Sequence, residues 1–181
     1  ILDELPKEKI NSAAFEGANI VLYTKDKNFF DEGEREIKAV VDKIKKRIIL
    51  RADKVLLKDE ERTKKEIREV IPDEAGITEI LFHPARSLVI IESKKPGIAI
   101  GKLGENLNLI KKKTSWTPIV RRSPAIRSKI TEAIRKVMYL NSSYRKRFLN
   151  EIGKKIYKEW DPDKREMWVR VTFLGGARQV G

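Results

Sequence analysis

The chain contains no cysteine and only one histidine, His83, among 181 residues. Without cysteine there are no disulfides and no thiolate metal centres, and a lone histidine cannot anchor an imidazole-based one. No nucleophile–base pair stands out either. Apolar runs are short. None approaches the roughly 18 residues of a membrane span, and no signal-peptide pattern opens the chain. These absences lead to the expectation of an intracellular, cytoplasmic protein with no membrane contact and no catalysis of its own. Positive charge, by contrast, is abundant: 40 Lys and Arg face 27 Asp and Glu, giving a net charge of +13. Such an excess points to a polyanionic partner, nucleic acid above all, with an anionic membrane surface or plain solubility as other readings. The hydrophobic fraction of 40% suffices for a core despite 37% charged residues.

The apolar pattern predicts an order of elements that occurs twice. Residues 3–11 read as a short helix, and residues 13–26 as two strands around Gly17. Phe29, Phe30, Ile37, Val40, Val41 and Ile44 recur at helical spacing through 28–47, and 48–53 reads as a strand. The order then restarts with a helix over 59–71, closed by Pro72, and two strands about the turn Pro84-Ala85-Arg86. A helical turn PGIAIG, a longer helix GENLNLIKKKT and a strand WTPIVRRS follow. Sliding the chain by 70 residues puts Ile20-Val21 on Ile90-Ile91, Ile37 on Leu107, Val40 on Ile110, and Ile49-Leu50-Arg51 on Ile119-Val120-Arg121. The reading is an α+β chain with two tandem modules, residues 1–56 and 57–124, each a three-stranded sheet with helices on one face.

The two copies differ at one turn. Gly101-Lys102-Leu103-Gly104 falls on Asp31-Glu32-Gly33-Glu34. Glycines at both ends of a turn allow a close backbone approach, the following helix start favours phosphate, and Lys102 adds a full charge. Three carboxylates in the first copy would repel a phosphate. The window 90–123 holds eight Lys/Arg against two acids, whereas 20–53 holds nine against seven. The second copy is therefore expected to bind and the first to be structural.

IGKLGENL resembles the G-x-x-G signature of KH domains, whose loop clamps a nucleic-acid backbone, and the element order is similar to the type II KH fold. The resemblance implies a groove for unpaired nucleotides. Its loop would be Gly101, Lys102, Leu103 and Gly104, its apolar floor Ile98, Ile100, Leu107 and Ile110, and its cations Lys94, Lys95, Arg121 and Arg122.

Residues 125–163 read as a basic helical connector, with ten Lys/Arg against three acids between 125 and 160. They suit either a second RNA-contacting surface or a solvated link. Residues 164–181 end in the alternating stretch VRVTFLGGARQVG, which resembles the first strand and glycine turn of a metallo-β-lactamase fold. Taken together, the chain resembles the amino-terminal region of the archaeal relatives of the cleavage and polyadenylation specificity factor nuclease, KH-containing β-CASP ribonucleases. That resemblance implies a parent protein with two zinc ions that cuts U-rich RNA in 3′-end formation and transcription termination. It also implies homodimerisation and, as partners, single-stranded RNA, the parent's nuclease domains and RNA polymerase. The zinc-binding H-x-H-x-D-H motif is absent, so catalysis and cofactor are expected to lie outside this chain.

Several residues carry a plainer alternative. His83 reads as a turn or packing residue, Asp161-Pro162-Asp163 as a turn, and Phe29 and Phe30 as core. Lys111-Lys112-Lys113 suits either RNA contact or a solvated helix end. Trp116 and Trp160 are open between base stacking and packing, while Trp168 reads as buried. At the level of function, an RNA-delivery region stands beside an assembly module in which the acidic first copy docks on the nuclease or the transcription machinery.

Overall fold

The structure is a computed structural model that describes residues 7–124 and 128–158. The first module comprises β1 (Ser12–Glu16), β2 (Asn19–Thr24), α1 (Lys27–Glu32), α2 (Glu34–Ile44) and β3 (Ile48–Ala52). The second begins with α3 (Glu60–Val70) and continues through β4 (Ile77–His83), β5 (Leu88–Ser93), α4 (Pro96–Ile100), α5 (Glu105–Thr114) and β6 (Thr117–Arg122). Each forms a three-stranded sheet, ordered β1-β2-β3 and β4-β5-β6, with the first pair antiparallel and the second parallel. The shared topology is what the 70-residue repeat predicts. Two expectations change. The helix expected over 3–11 appears, within the described residues, only as a 3-10 turn at Lys7–Lys9. The segment 28–47 is two helices that meet at Gly33, where a Cβ would lie 2.4 Å from the Phe29 carbonyl oxygen.

Strand periodicity sorts the side chains onto two faces. Ile20, Leu22, Ile48, Leu50 and Ala52 face α1 and α2 and enclose Phe29, Phe30 and Ile37. In the second module Val89 and Ile91 join Ile67, Ile71, Ala99, Ile110 and Trp116. Trp116 is thus a core residue and not a stacking platform: its indole N–H donates to the Lys58 carbonyl (2.8 Å), and its ring meets Phe82 edge-on.

The opposite faces are buried as well. Val21, Tyr23 and Arg51, and in the second sheet Leu88, Ile90 and Glu92, are all at most 4% exposed. The basic helical connector accounts for part of this. It forms α6 (Lys129–Leu140) and α7 (Ser142–Tyr157), and α7 lies along β1. Gly17 donates its N–H to the Leu149 carbonyl (3.2 Å), and the Asn150 side chain accepts from the Phe15 N–H (2.9 Å). Gly153 sits against Phe15 so closely that a Cβ would come within 2.0 Å of the Phe15 Cβ. Tyr157 stacks on Phe15, Lys146 lies 4.0 Å above the Tyr23 ring, and Arg135 of α6 donates to Glu92 (3.0 Å). The connector is therefore a strut. Residues 164–181, with the expected metallo-β-lactamase strand and Trp168, lie outside the described residues, as do Trp160 and Asp161-Pro162-Asp163.

A buried ionic cluster joins the modules. Glu16, at the end of β1, takes a two-pronged pair from Arg51 of β3 (2.6 and 2.8 Å) and another from Arg86 of the second module (2.8 and 2.6 Å). Arg51 also donates to the Arg86 carbonyl (3.1 Å). Burial alone would push the Glu16 carboxyl up, but the hydrogen bonds from Arg86 and Arg51 outweigh it and hold the pKa at about 2. His83 is 1% exposed. Burial, reinforced by Arg86, Arg145 and Arg121, lowers its pKa to about 4.

Removing one member of a buried ion set strands the others without compensation. Glu16→Ala is expected to lower stability by about 3–5 kcal/mol, read from urea unfolding at neutral pH. Both titrations also make the fold weaker in acid. The unfolded histidine protonates near pH 6.5 and the folded one only near 4, so that contribution is lost as pH falls through this window. The contribution of Glu16 is complete above about pH 4.5 and lost toward 2. Urea midpoints should fall in two stages on acidification, and His83→Gln should flatten the first stage alone.

Candidate nucleic-acid interface

The parallel pairing of β5 and β6 sets Glu92 opposite Arg121 and Ser93 opposite Arg122. Lys94 and Lys95 follow at once, so all four predicted cations collect at one end of the sheet, and all four are exposed. The chain then enters α4 and reaches Gly101 about 8 Å further along, at 1.5 Å per helical residue.

The loop after α4 takes a conformation that its sequence alone permits. Gly101 has φ +78° and ψ 176°, a region that only glycine occupies readily, and Gly104 has φ +80°. A Cβ on Gly101 would lie 2.9 Å from the Asn106 side chain. Asn106 holds the loop from inside, donating to the Ile98 carbonyl (3.1 Å) and the Ala99 carbonyl (3.4 Å). These are orphan acceptors at the end of α4. Between the glycines, Lys102 and Leu103 project outward. Leu103 is 97% exposed and is itself left-handed (φ +53°).

The apolar floor is smaller than expected. Ile98, Ile100 and Leu107 are half-buried, whereas Ile110 is 0% exposed and packs with Ile67 and Ile71. Ile110 is core and cannot touch a ligand, because it lies on the α5 face turned toward the sheet. The concavity beside the loop is lined by Lys102, Leu103, Glu105, Asn108, Leu109 and Lys112. Sequence reasoning missed Asn106, Asn108 and Leu109. For Asn108 and Leu109 the signal was present in the i, i+3, i+4, i+7 spacing of 105, 108, 109 and 112, which marks one outward helix face. The lysine run divides. Lys111 is engaged with Glu34 of the first module (2.8 Å) and lies 4.9 Å from the Phe30 ring centroid, while Lys112 and Lys113 are exposed.

The equivalent turn of the first module is closed. Gly33 has φ −68°, among the described residues no position from 31 to 34 has a positive φ, and Glu34 is committed to Lys111. The adjoining cavity is lined by Asp26, Glu32 and Glu36 as well as Lys9 and Arg35. The contrast read from the letters is thus also one of backbone shape.

If Asn106 sets the loop, Asn106→Ala should cost about 1–3 kcal/mol by leaving buried carbonyls unpaired. Gly101→Ala should cost about the same through backbone strain. Chemical denaturation of each variant measures this.

Residues 1–57 match the family model described as the KH domain of transcription termination factor FttA. Over 178 residues the chain is 41% identical to transcription termination factor FttA of Pyrococcus horikoshii, covering 98% of this chain and 27% of that protein. It is 41% identical to that of Methanocaldococcus jannaschii, over 100% of this chain and 28% of the relative. Identity to the Lokiarchaeum protein of the same name is 34%. The chain thus spans a little over a quarter of the length of these relatives. The similarity runs through both modules and the α6–α7 strut, and along its whole length the chain matches the KH-domain region of the archaeal transcription termination factor FttA.

Proposed function

We propose that this chain binds single-stranded RNA with its second module and presents it to the rest of a termination factor. The observation that carries the reading is the open Gly101–Gly104 loop. It exposes Lys102 and Leu103, and Lys94, Lys95, Arg121 and Arg122 are exposed at the sheet end where α4 starts, while the matching turn of the first module is helical, acidic and engaged with Lys111. Cations at the loop and strand ends would hold successive phosphates, and half-buried Ile98, Ile100 and Leu107 would offer apolar contact to bases. The relatives' printed name, transcription termination factor, supports a role for this binding in termination. In finer detail, the RNA would be U-rich and its destination a zinc-dependent β-CASP nuclease elsewhere in the parent protein, acting in 3′-end formation. The described residues do not fit a zinc centre. His83 is its one imidazole and is buried, and among the described residues no group of three or more His, Cys, Asp or Glu could hold a metal. Its part would be binding and not catalysis. Among the described residues no helix is long and apolar enough to cross a membrane.

A specific observation favours a second, assembly role. Ile130, Ile134, Val137 and Met138 of α6 and Tyr144 and Phe148 of α7 are each 43–74% exposed. Docking on the parent's nuclease domains, on a second copy or on RNA polymerase would use this face. The acidic turn of the first module is already turned toward the second.

The test is a fluorescence-anisotropy titration with a short labelled U-rich RNA at several salt concentrations. With about 3–5 phosphate contacts, log affinity should fall with log salt at a slope of about −2 to −3.5. The Lys102→Asp, Leu103→Asp double variant should lose at least about tenfold, or ~1.4 kcal/mol, with its unfolding midpoint unchanged. Undiminished binding by that variant would overturn the clamp assignment. Equal affinity for an A-rich strand would remove the U-rich element alone.

A further inference from the structure

The concavity beside the loop has a composition that phosphate contact does not explain. Two large aliphatic side chains line it, Leu103 at 97% and Leu109 at 41% exposure, together with Lys102, Asn108 and Lys112. It occupies the solvent side of α5, opposite the buried Ile110 and Thr114, and none of the four cations at the strand ends lines it. Leu103 is held out by a left-handed backbone (φ +53°) that a β-carbon residue adopts only at a cost, so its exposure is imposed by the loop and not by fraying. Glu105, at the rim, repels a phosphate placed at the centre of the concavity and leaves Lys102 and Lys112 as the anion contacts.

We infer that this concavity is a base-binding subsite for a nucleotide next to the clamped backbone. The base inserts between Leu103 and Leu109, its flanking phosphates lie on Lys102 and Lys112, and the Asn108 amide, which both donates and accepts, meets its edge. A single-stranded nucleic acid fits better than a peptide, because an exposed apolar pair shares the concavity with two cations. The inference rests on the clamp reading above and extends the bound strand onto the outer face of α5.

The experiment is an abasic scan with the 181-residue chain. A short single-stranded RNA is synthesised with one abasic residue at each position in turn and titrated against wild type, Leu109→Ser and Lys102→Asp. In wild type, one position should cost roughly fivefold to tenfold, equal to about 1–1.4 kcal/mol. In Leu109→Ser that penalty should vanish, while penalties elsewhere persist. Asn108→Asp, which adds a charge at the base edge, should give the same pattern. Both substituted positions are exposed, and circular dichroism checks that each variant is folded. Identical abasic profiles in wild type and Leu109→Ser, with binding lost in Lys102→Asp, would overturn the subsite and leave the clamp standing. Full affinity in Lys102→Asp would overturn both. Altered self-association of Leu109→Ser with an unchanged abasic profile would make the leucine pair a protein contact and overturn the subsite.

Discussion

The arrangement of this molecule depends on one buried carboxylate. Glu16 accepts four hydrogen bonds from two guanidinium groups, one in its own sheet and one in the neighbouring module, at distances of 2.6–2.8 Å. A carboxylate taken out of water is tolerable only when its lone pairs are occupied this fully. The same requirement fixes where the donors must be, and so fixes how one module sits on the other. Glu16 and Arg86 lie 70 positions apart, the period of the repeat. Two identical copies would set like charges against each other there, so the seam exists because the copies diverged.

Divergence also divided the work. In the second module the α4–α5 turn keeps its glycines, opens, and projects a lysine and a leucine into solvent. In the first, the same turn carries carboxylates, closes into helical geometry and directs Glu34 at Lys111. Acidity there does double duty: it removes one phosphate site and anchors the two modules a second time, at the far end of α5 from the clamp. The basic surplus of the chain is consequently not spread evenly. Part of it is consumed internally, by Arg51, Arg86, Lys111 and Arg135, each engaged with a carboxylate. Six others, Lys94, Lys95, Lys102, Lys112, Arg121 and Arg122, are exposed around the second module.

The strut adds a third element to this economy of charge and surface. α7 satisfies backbone donors of the edge strand β1 through Leu149 and Asn150, and thereby protects an edge that would otherwise invite pairing with another chain. It can lie so close only because Gly153 has no side chain at the point of contact. Its other side, with α6, carries the apolar residues that give the molecule a second face, distinct in chemistry from the cationic one.

Much of this was legible in the letters. Alternation and helical spacing are local properties, so the strands of both modules, the restart near residue 57 and the 70-residue repeat could be read directly. The glycine loop could be read too, because only glycine serves the backbone angles at Gly101. What the sequence left open was decided by contacts between residues far apart in the chain. Ile110 and Leu109 are adjacent and equally apolar, yet α5 docks on the sheet with one and leaves the other in solvent. Trp116 looked available for stacking until Lys58 and Phe82 closed around it. Lys111 and Lys112 are the same residue type side by side, and only the position of Glu34 separates an internal anchor from a surface cation. The basic segment after residue 128 gave no local sign that it would lie against β1. The sequence by itself determined the elements and the loop, since these follow from the steric and periodic preferences of short stretches. The tertiary structure alone decided which charges are spent within the fold and which face outward, because charge pairing and burial depend on distance in space and not on distance along the chain.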